Sequence, residues 1–203
     1  MIRIGLVMLQ GSRHAHITAL EQAANESNTD IEVVELRSSS DLISSDIDGI
    51  IIPGGESTTM RLTGNSNFSG LLPSLMTLIR DNPHIPVMGT CAGAILLTDP
   101  QDEYTSLIDA SIDRNAYGTQ TNSFQADVQT SLLKMNFPGV FIRAPKFRSV
   151  NNPNSIIATC NGEVVGVRKN NLIALTFHPE LSKNRGFHSW LIGQAVIYSE
   201  GSK

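Results

Sequence analysis

Two short stretches of this chain carry residue types that can do covalent chemistry. The first is Gly89-Thr90-Cys91-Ala92-Gly93, a G-x-C-x-G run at the end of an apolar segment. It fits the cysteine version of a nucleophile elbow, in which a tight strand-to-helix turn projects the thiol from the edge of a sheet. Small neighbours admit the turn and a close substrate, and the start of the following helix supplies N–H groups and a positive dipole end that favour a thiolate and a developing oxyanion. Taken alone, the run also fits a core cysteine buried beside a turn. The second stretch is His178-Pro179-Glu180, which follows the apolar run "LIALTF". A thiol nucleophile needs a base within hydrogen-bond reach and a group that orients the base. His178 is the candidate base and Glu180 the orienting carboxylate, with Pro179 stiffening the link. Alone, a histidine at a strand end reads as a polar surface residue; the pairing with Cys91 gives it a role.

A third stretch, Pro53-Gly54-Gly55-Glu56-Ser57, closes another apolar run. Its glycines expose backbone N–H groups and allow a substrate carbonyl close, so Gly55 could give an oxyanion donor beside the Ala92 N–H. The same residues also read as a turn capped by Ser57 ahead of a helix. A phosphate site is disfavoured, because no lysine follows in a P-loop pattern. Gln10 ends the first apolar run at the same expected edge, and its amide both donates and accepts; the alternative is a polar strand-end residue bonded to its own loop. His14, His16, His84 and His188 lack comparable surroundings and read as structural or solvated. No metal motif is present, and Cys160, in "IIATCNG", reads as packing.

The elements that must position these residues follow from patterning. Residues 2–9, 31–36, 48–55 and 85–90 are short, β-branched apolar runs of the kind expected in buried parallel strands. Between them lie helical segments. Ser12 can cap one that carries Ile17, Leu20 and Ala24 on one face; residues 70–81 form another, with Pro73 in its first turn; and 92–98 form a third. In the second half, "SFQADVQT", "GVFIRAP", "SIIATCNG", "EVVGVRKN" and "LIALTFHPE" are β-like runs separated by Asn, Gly and Pro, which predicts strands that extend the sheet, partly antiparallel. A last helix over 184–198 carries Trp190, Leu191, Ala195 and Tyr198 as a core stripe. The expected fold is an α/β three-layer sandwich with a mostly parallel central sheet, as one domain over residues 1–203.

Bulk properties exclude several classes. A chain of 203 residues with a formal net charge of −4 gives no reason to expect nucleic acid or an acidic membrane as partner. Two cysteines suit a reducing cytoplasm rather than a disulfide scaffold. The N-terminal run lacks a signal-peptide cleavage pattern, and no stretch approaches the roughly 20 apolar residues of a membrane span. A soluble cytoplasmic protein is expected.

Together the motifs resemble a class I, triad-type glutamine amidotransferase, with a flavodoxin-like sandwich. "LQG" at 9–11, "PGGESTT" at 53–59, "GTCAGAILL" at 89–97, "RNAYG" at 114–118, "FIRAP" at 141–145 and "FHPEL" at 177–181 further resemble the glutaminase subunits of pyridoxal 5′-phosphate synthase, the PdxT family. The match runs in order through nearly the whole chain. Met8, Tyr117 and Thr119 depart from that pattern without touching the triad. The resemblance implies hydrolysis of L-glutamine by a Cys91-His178-Glu180 triad, with Gly55 and Ala92 as oxyanion donors. It implies that Gly55, Glu56, Ser57, Arg114, Ile142 and Arg143 hold the substrate, the charged ones meeting its α-groups. It also implies a hetero-oligomer with a separate synthase subunit of the PdxS family, a (β/α)₈ barrel that would build pyridoxal 5′-phosphate from ribose 5-phosphate and glyceraldehyde 3-phosphate. Gln10 is expected at that partner interface. Pyridoxal phosphate would then be a product, and no cofactor is expected in this chain. Two other readings share some of these features: a DJ-1/PfpI-type cysteine hydrolase, which has the same fold and elbow, and a non-catalytic subunit that only stabilises a synthase.

Overall fold

A computed structural model describes residues 1–11, 13–102, 106–114 and 123–201. Eleven strands are present among them: β1 (Ile2–Val7), β2 (Ile31–Leu36), β3 (Gly49–Ile52), β4 (Val87–Thr90), β5 (Ala110–Asp113), β6 (Ser123–Thr130), β7 (Phe137–Ile142), β8 (Lys146–Val150), β9 (Ile156–Cys160), β10 (Glu163–Lys169) and β11 (Leu172–Leu175). The described helices are α1 (Arg13–Ser27), α2 (Ser39–Ile43), α3 (Ser57–Gly64), α4 (Leu71–Asp81), α5 (Ala92–Thr98) and α6 (Gly186–Gly201). Nine strands form the main sheet in the order β2-β1-β3-β4-β11-β10-β9-β6-β7, while β5 and β8 pair apart from it. The first five in that order are parallel; the rest run antiparallel, as the Asn- and Gly-punctuated second half predicts.

The buried parallel strands show why their sequences are apolar without alternating. In a strand, successive side chains point to opposite faces, so a strand covered on both sides needs apolar residues at every position. Ile51, Met88, Ile173 and Leu175 enter one core layer, with Leu20 and Ala23 of α1 and Leu191 and Ala195 of α6. Ile50, Ile52, Val87, Leu172 and Ala174 enter the other, with Met60 of α3, Leu71 and Leu75 of α4, and Ala92 and Leu96 of α5. The sheet between these two layers is the middle of a three-layer sandwich.

The structure shifts several boundaries. β1 leaves the ladder after Val7, and β3 stops at Ile52 because Pro53 has no N–H to continue it. α6 starts at Gly186 rather than 184, since the Asn184 side chain accepts the Gly186 N–H (2.8 Å) and so stands before the helix. The expected Ser12 cap lies outside the described residues, as do Tyr117 and Thr119. No described helix is long and apolar enough to cross a membrane.

Candidate active site

The parallel strands all end at one edge of the sheet, and that edge carries the cleft. Cys91 follows β4 directly and His178 lies three residues beyond β11. The two strands are neighbours, in a register that pairs Thr90 with Leu175. The Cys91 N–H still donates to the Leu175 carbonyl (2.8 Å), so the ladder persists up to the nucleophile before the backbone reverses. The reversal is strained: Cys91 has φ +49° and ψ −105°, outside the comfortable regions for a residue with a Cβ. Its side chain is anchored in the sheet edge with 8 % of the residue exposed.

Glycines permit this turn, chiefly by packing. A Cβ on Gly93 would lie 1.9 Å from the Ile52 carbonyl oxygen, and one on Gly89 would lie 2.7 Å from the Gly93 carbonyl oxygen. The small residues of the elbow therefore let α5 lie directly on β3. A Cβ on Gly54 would meet His178 Cε1 at 2.5 Å and Cys91 Cβ at 3.2 Å, so the loop backbone lies against the reacting pair.

His178 is held from three sides. Its N–H donates to the Val140 carbonyl of β7 (2.8 Å). The preceding Phe177 is fully buried among Phe137, Phe141 and Phe187, with ring centroids 5.6–5.8 Å from it. Its Nδ1 lies 2.7 Å from Glu180 Oε1, at the 3-10 turn Pro179–Leu181, where the imidazole N–H donates to the carboxylate. The other ring nitrogen remains for Cys91, whose side chain lies beside the ring at the cleft. Burial would lower the pKa of His178, but the hydrogen bonds to Cys91 and Glu180, together with their negative charges, outweigh it and push the value up to about 10. Burial would likewise raise Glu180; the neighbouring His16 and the His178 contact reverse the sign, and its pKa is lowered. An imidazolium of His178 held between a cysteine side chain and a carboxylate is the arrangement a cysteine nucleophile needs.

The cleft beside this triad has a volume of about 720 Å³ and is bordered by Gln10, Gly55, Glu56, Ser57, Arg114, Ile142 and Arg143 together with Cys91 and His178. All the residues expected to hold a substrate thus converge. Arg143 follows β7 in a left-handed conformation, φ +44°, so two non-glycine residues with positive φ, Cys91 and Arg143, face one cleft. Arg114 is exposed at its rim, and the rest of the "RNAYG" run lies outside the described residues. Glu56 and Ser57 differ from expectation in one respect. Glu56, not Ser57, caps α3: its carboxylate accepts the N–H groups of Thr58 (2.9 Å) and Thr59 (2.7 Å) and the Thr59 hydroxyl. These bonds, that from the Thr58 N–H foremost, hold its pKa at about 2. Gln10 accepts the Glu56 N–H (2.8 Å) through Oε1, and Gly11, at φ +106°, presses against the Gly54 carbonyl: a Cβ there would be 1.8 Å from its oxygen. The first strand's exit and the glycine loop are therefore locked together. Cys160 is buried and unpaired in β9, away from this edge.

One pair of residues escaped the sequence reading. His16 of α1 and His188 of α6 are fully buried directly behind Glu180, with His16 Nε2 3.4 Å from Glu180 Oε2. No signal in the linear sequence joins residues from the two ends of the chain; only the packing of α1 on α6 does. Among the described residues, no group of three or more His, Cys, Asp or Glu side chains converges as a metal site.

Comparison with known proteins gives the family. The model of the SNO glutamine amidotransferase family matches residues 6–197. The chain belongs to that family. Relatives titled "Pyridoxal 5'-phosphate synthase subunit PdxT" include those of Thermococcus gammatolerans, 38% identical over 97% of this chain and 100% of the relative, and Methanosarcina mazei, 32% identical over 96% and 99%. A solved structure titled "Crystal structure of glutamine amidotransferase" superposes with a TM-score of 0.76 at 30% identity, covering 95% of this chain and 98% of the other. A Thermotoga maritima glutamine amidotransferase, 15% identical over 99% of this chain and 85% of its own with a TM-score of 0.61, shares the fold.

Proposed function

We propose that the protein, as a single glutaminase domain over residues 1–203, hydrolyses L-glutamine to L-glutamate and ammonia with Cys91, His178 and Glu180 as its triad, and delivers the ammonia to a separate synthase subunit. The observation that carries the reading is the continuous contact from the strained Cys91 elbow through His178 to the buried Glu180. The Cys91 thiolate attacks the side-chain amide carbon, forming a C–S bond and moving the carbonyl electrons to oxygen. The N–H groups of Gly55 and Ala92 hold that oxyanion. His178 gives its proton to the amide nitrogen, the C–N bond breaks, and ammonia leaves a γ-glutamyl thioester. Neutral His178 then takes a proton from water as the water oxygen attacks the thioester, and collapse expels the thiolate and glutamate. Glu180 holds the imidazole in the required orientation throughout. Arg143 and Arg114 supply positive charge for the substrate α-carboxylate. Glu56 stays ionised at any working pH and, with Ser57 and Ile142, lines the opposite wall toward the α-ammonium.

The partner reading rests on relatives of full length that carry the name of a pyridoxal 5′-phosphate synthase subunit. The partner is the synthase of the PdxS family, in a cytoplasmic hetero-oligomer, and pyridoxal phosphate is its product from ribose 5-phosphate and glyceraldehyde 3-phosphate. The test is glutamate release from L-glutamine by the chain mixed with that synthase subunit. Activity that disappears in Cys91→Ala supports the reading. Ammonia production that survives the substitution would instead make this chain a binding subunit.

A further inference from the structure

Behind the triad, two histidines form a dry pair that the mechanism above does not use. His16 and His188 are 0 % exposed, and His16 Nδ1 lies 3.2 Å from His188 Nε2. The other face of His16 presents Nε2 to Glu180 Oε2 at 3.4 Å and to the Thr90 hydroxyl at 3.5 Å. Glu180 itself is 3 % exposed, and among the described residues Oε2 has no hydrogen bond of good geometry. One carboxylate oxygen thus holds the base and the other has His16 as its nearby ring nitrogen. We propose that His16, fixed as the Nε2–H tautomer by His188, is a positioning residue that aims Glu180 at His178; this rests on the glutaminase reading.

The tautomer follows from the contacts. With its proton on Nδ1, His16 would turn an Nε2 lone pair toward a buried carboxylate oxygen, two electron-rich atoms facing each other without water. With its proton on Nε2, it turns its N–H edge toward that oxygen at 3.4 Å, an electrostatic contact rather than a well-formed hydrogen bond, and Nδ1 accepts from His188 Nε2–H. His188 then keeps a bare Nδ1, which is unpartnered among the described residues; an unpaired lone pair costs less than an unpaired carboxylate facing a lone pair. Burial keeps both rings neutral: it is the largest influence lowering each, opposed for His16 by Glu180 and reinforced for His188 by His16 and Arg185. The charged or titratable groups facing the pair are Glu180 and His178 from the triad's segment and Arg185 ahead of α6. Arg185 donates to the carbonyls of Glu180 and Ser182 and to Gln22 of α1, so the same guanidinium ties the triad turn to the helix that carries His16. The result is an ordered path, His188 to His16 to Glu180 to His178 to Cys91, in which each neutral ring donates toward the negative end.

The pH consequence has a definite sign. Removing the His16 ring that lies 3.4 Å from Oε2 weakens Glu180 as a partner of His178, so the imidazolium is lost at lower pH and the basic limb of the rate profile moves down. Glutamate release by the assembled complex would be measured against pH for wild type, His16→Phe and His16→Gln. The Gln amide can both accept from His188 and donate to Glu180. In His16→Phe we expect kcat to fall about tenfold or more with KM within about twofold, and the basic limb to shift down by about half a unit or more. In His16→Gln, both should return to near wild type. A purely structural role would lower the melting temperature and leave the limb in place. A folded His16→Phe variant with wild-type kcat and limb overturns the proposal, as does a folded His16→Gln no better than His16→Phe. Nitrogen-15 NMR of the histidine rings in the wild-type chain decides independently of any variant's folding: a His16 proton on Nε2 supports the proposal and one on Nδ1 overturns it. A wild-type complex without glutaminase activity would sink the glutaminase reading, and the NMR result would still decide the positioning geometry.

Discussion

Gly54→Ala should disable the enzyme through a single methyl group. The added Cβ would lie 2.5 Å from His178 Cε1 and 3.2 Å from both His178 Nδ1 and Cys91 Cβ. Non-bonded carbons settle at about 3.5–4.0 Å, so something must yield by about 1 Å. Cys91 cannot retreat, because its N–H is bound to Leu175 and its backbone is already strained at φ +49°. His178 is fixed by its N–H on Val140 and its ring on Glu180. Either the ring moves off Cys91 or Glu180, or the loop lifts and carries the Gly55 N–H with it. A misplacement of about 1 Å costs on the order of a hundredfold in rate, which is about 2.7 kcal/mol in the barrier. The assay is kcat/KM for glutamate release with the synthase subunit, together with the rate of Cys91 alkylation by iodoacetamide, which reports thiolate. Both should fall. Gly55→Ala is the control: its Cβ would meet Gln10 Oε1 at 3.2 Å and Met60 Sδ at 3.4 Å, ends of side chains that can shift, and it keeps its N–H. A loss below about tenfold is expected there. A Gly54→Ala enzyme within threefold of wild type in both assays would refute the reasoning.

Further outcomes follow from the same site. A glutamine-analogue electrophile should label Cys91 far faster than Cys160, whose thiol is pushed up by burial and by the charges of Glu163 and Asp127; mass mapping with Cys160 as the main site would contradict this. His178→Asn should nearly abolish glutamate release while Glu180→Gln costs less, and full activity in the His178 variant would assign the base elsewhere. Because the folded pKa of His178, about 10, lies above its unfolded value, its contribution to stability is complete below about pH 6.5 and is lost as the pH rises through about 10. Melting temperatures should therefore decline over that window in wild type and less steeply in His178→Asn; identical slopes would deny the raised pKa. Gln10→Ala, by removing the acceptor of the Glu56 N–H, should lower partner-stimulated glutaminase activity more than the basal activity of the free chain, and equal proportional losses would rule out a relay from the partner to the loop.

The parts of this site that were legible in the sequence are those whose chemistry is local. Cys91 declared itself through its glycines, and His178 through Glu180 two residues on. The parallel strands were legible because burial on both faces demands unbroken apolar runs, such as Ile50, Ile51 and Ile52. That Glu56 caps α3 was not legible, because a carboxylate before a helix can serve the backbone, a ligand or both; the bonds to Thr58 and Thr59 show the backbone role. His16 was beyond reach. On α1 it occupies the buried face with Ala19, Leu20 and Ala23, a place where a histidine looks like packing, and its partners come from the other end of the chain.

The triad depends on register more than on any of its own bonds. Cys91 and His178 are far apart in sequence and meet because β4 and β11 are adjacent, parallel and in step from Val87 with Leu172 to Thr90 with Leu175. A slip of one residue would turn every side chain of a strand to the opposite face. It would exchange Met88 and Val87 between the two core layers, and would carry His178 about 3.3 Å along the edge, beyond hydrogen-bond reach of the thiol. That slip is prevented by the core rather than by the site, since Ile173 and Leu175 fit one layer and Leu172 and Ala174 the other. The geometry of the proposed triad is thus enforced by apolar side chains of the two core layers, and the strain at Cys91 persists because those contacts leave its backbone nowhere else to go.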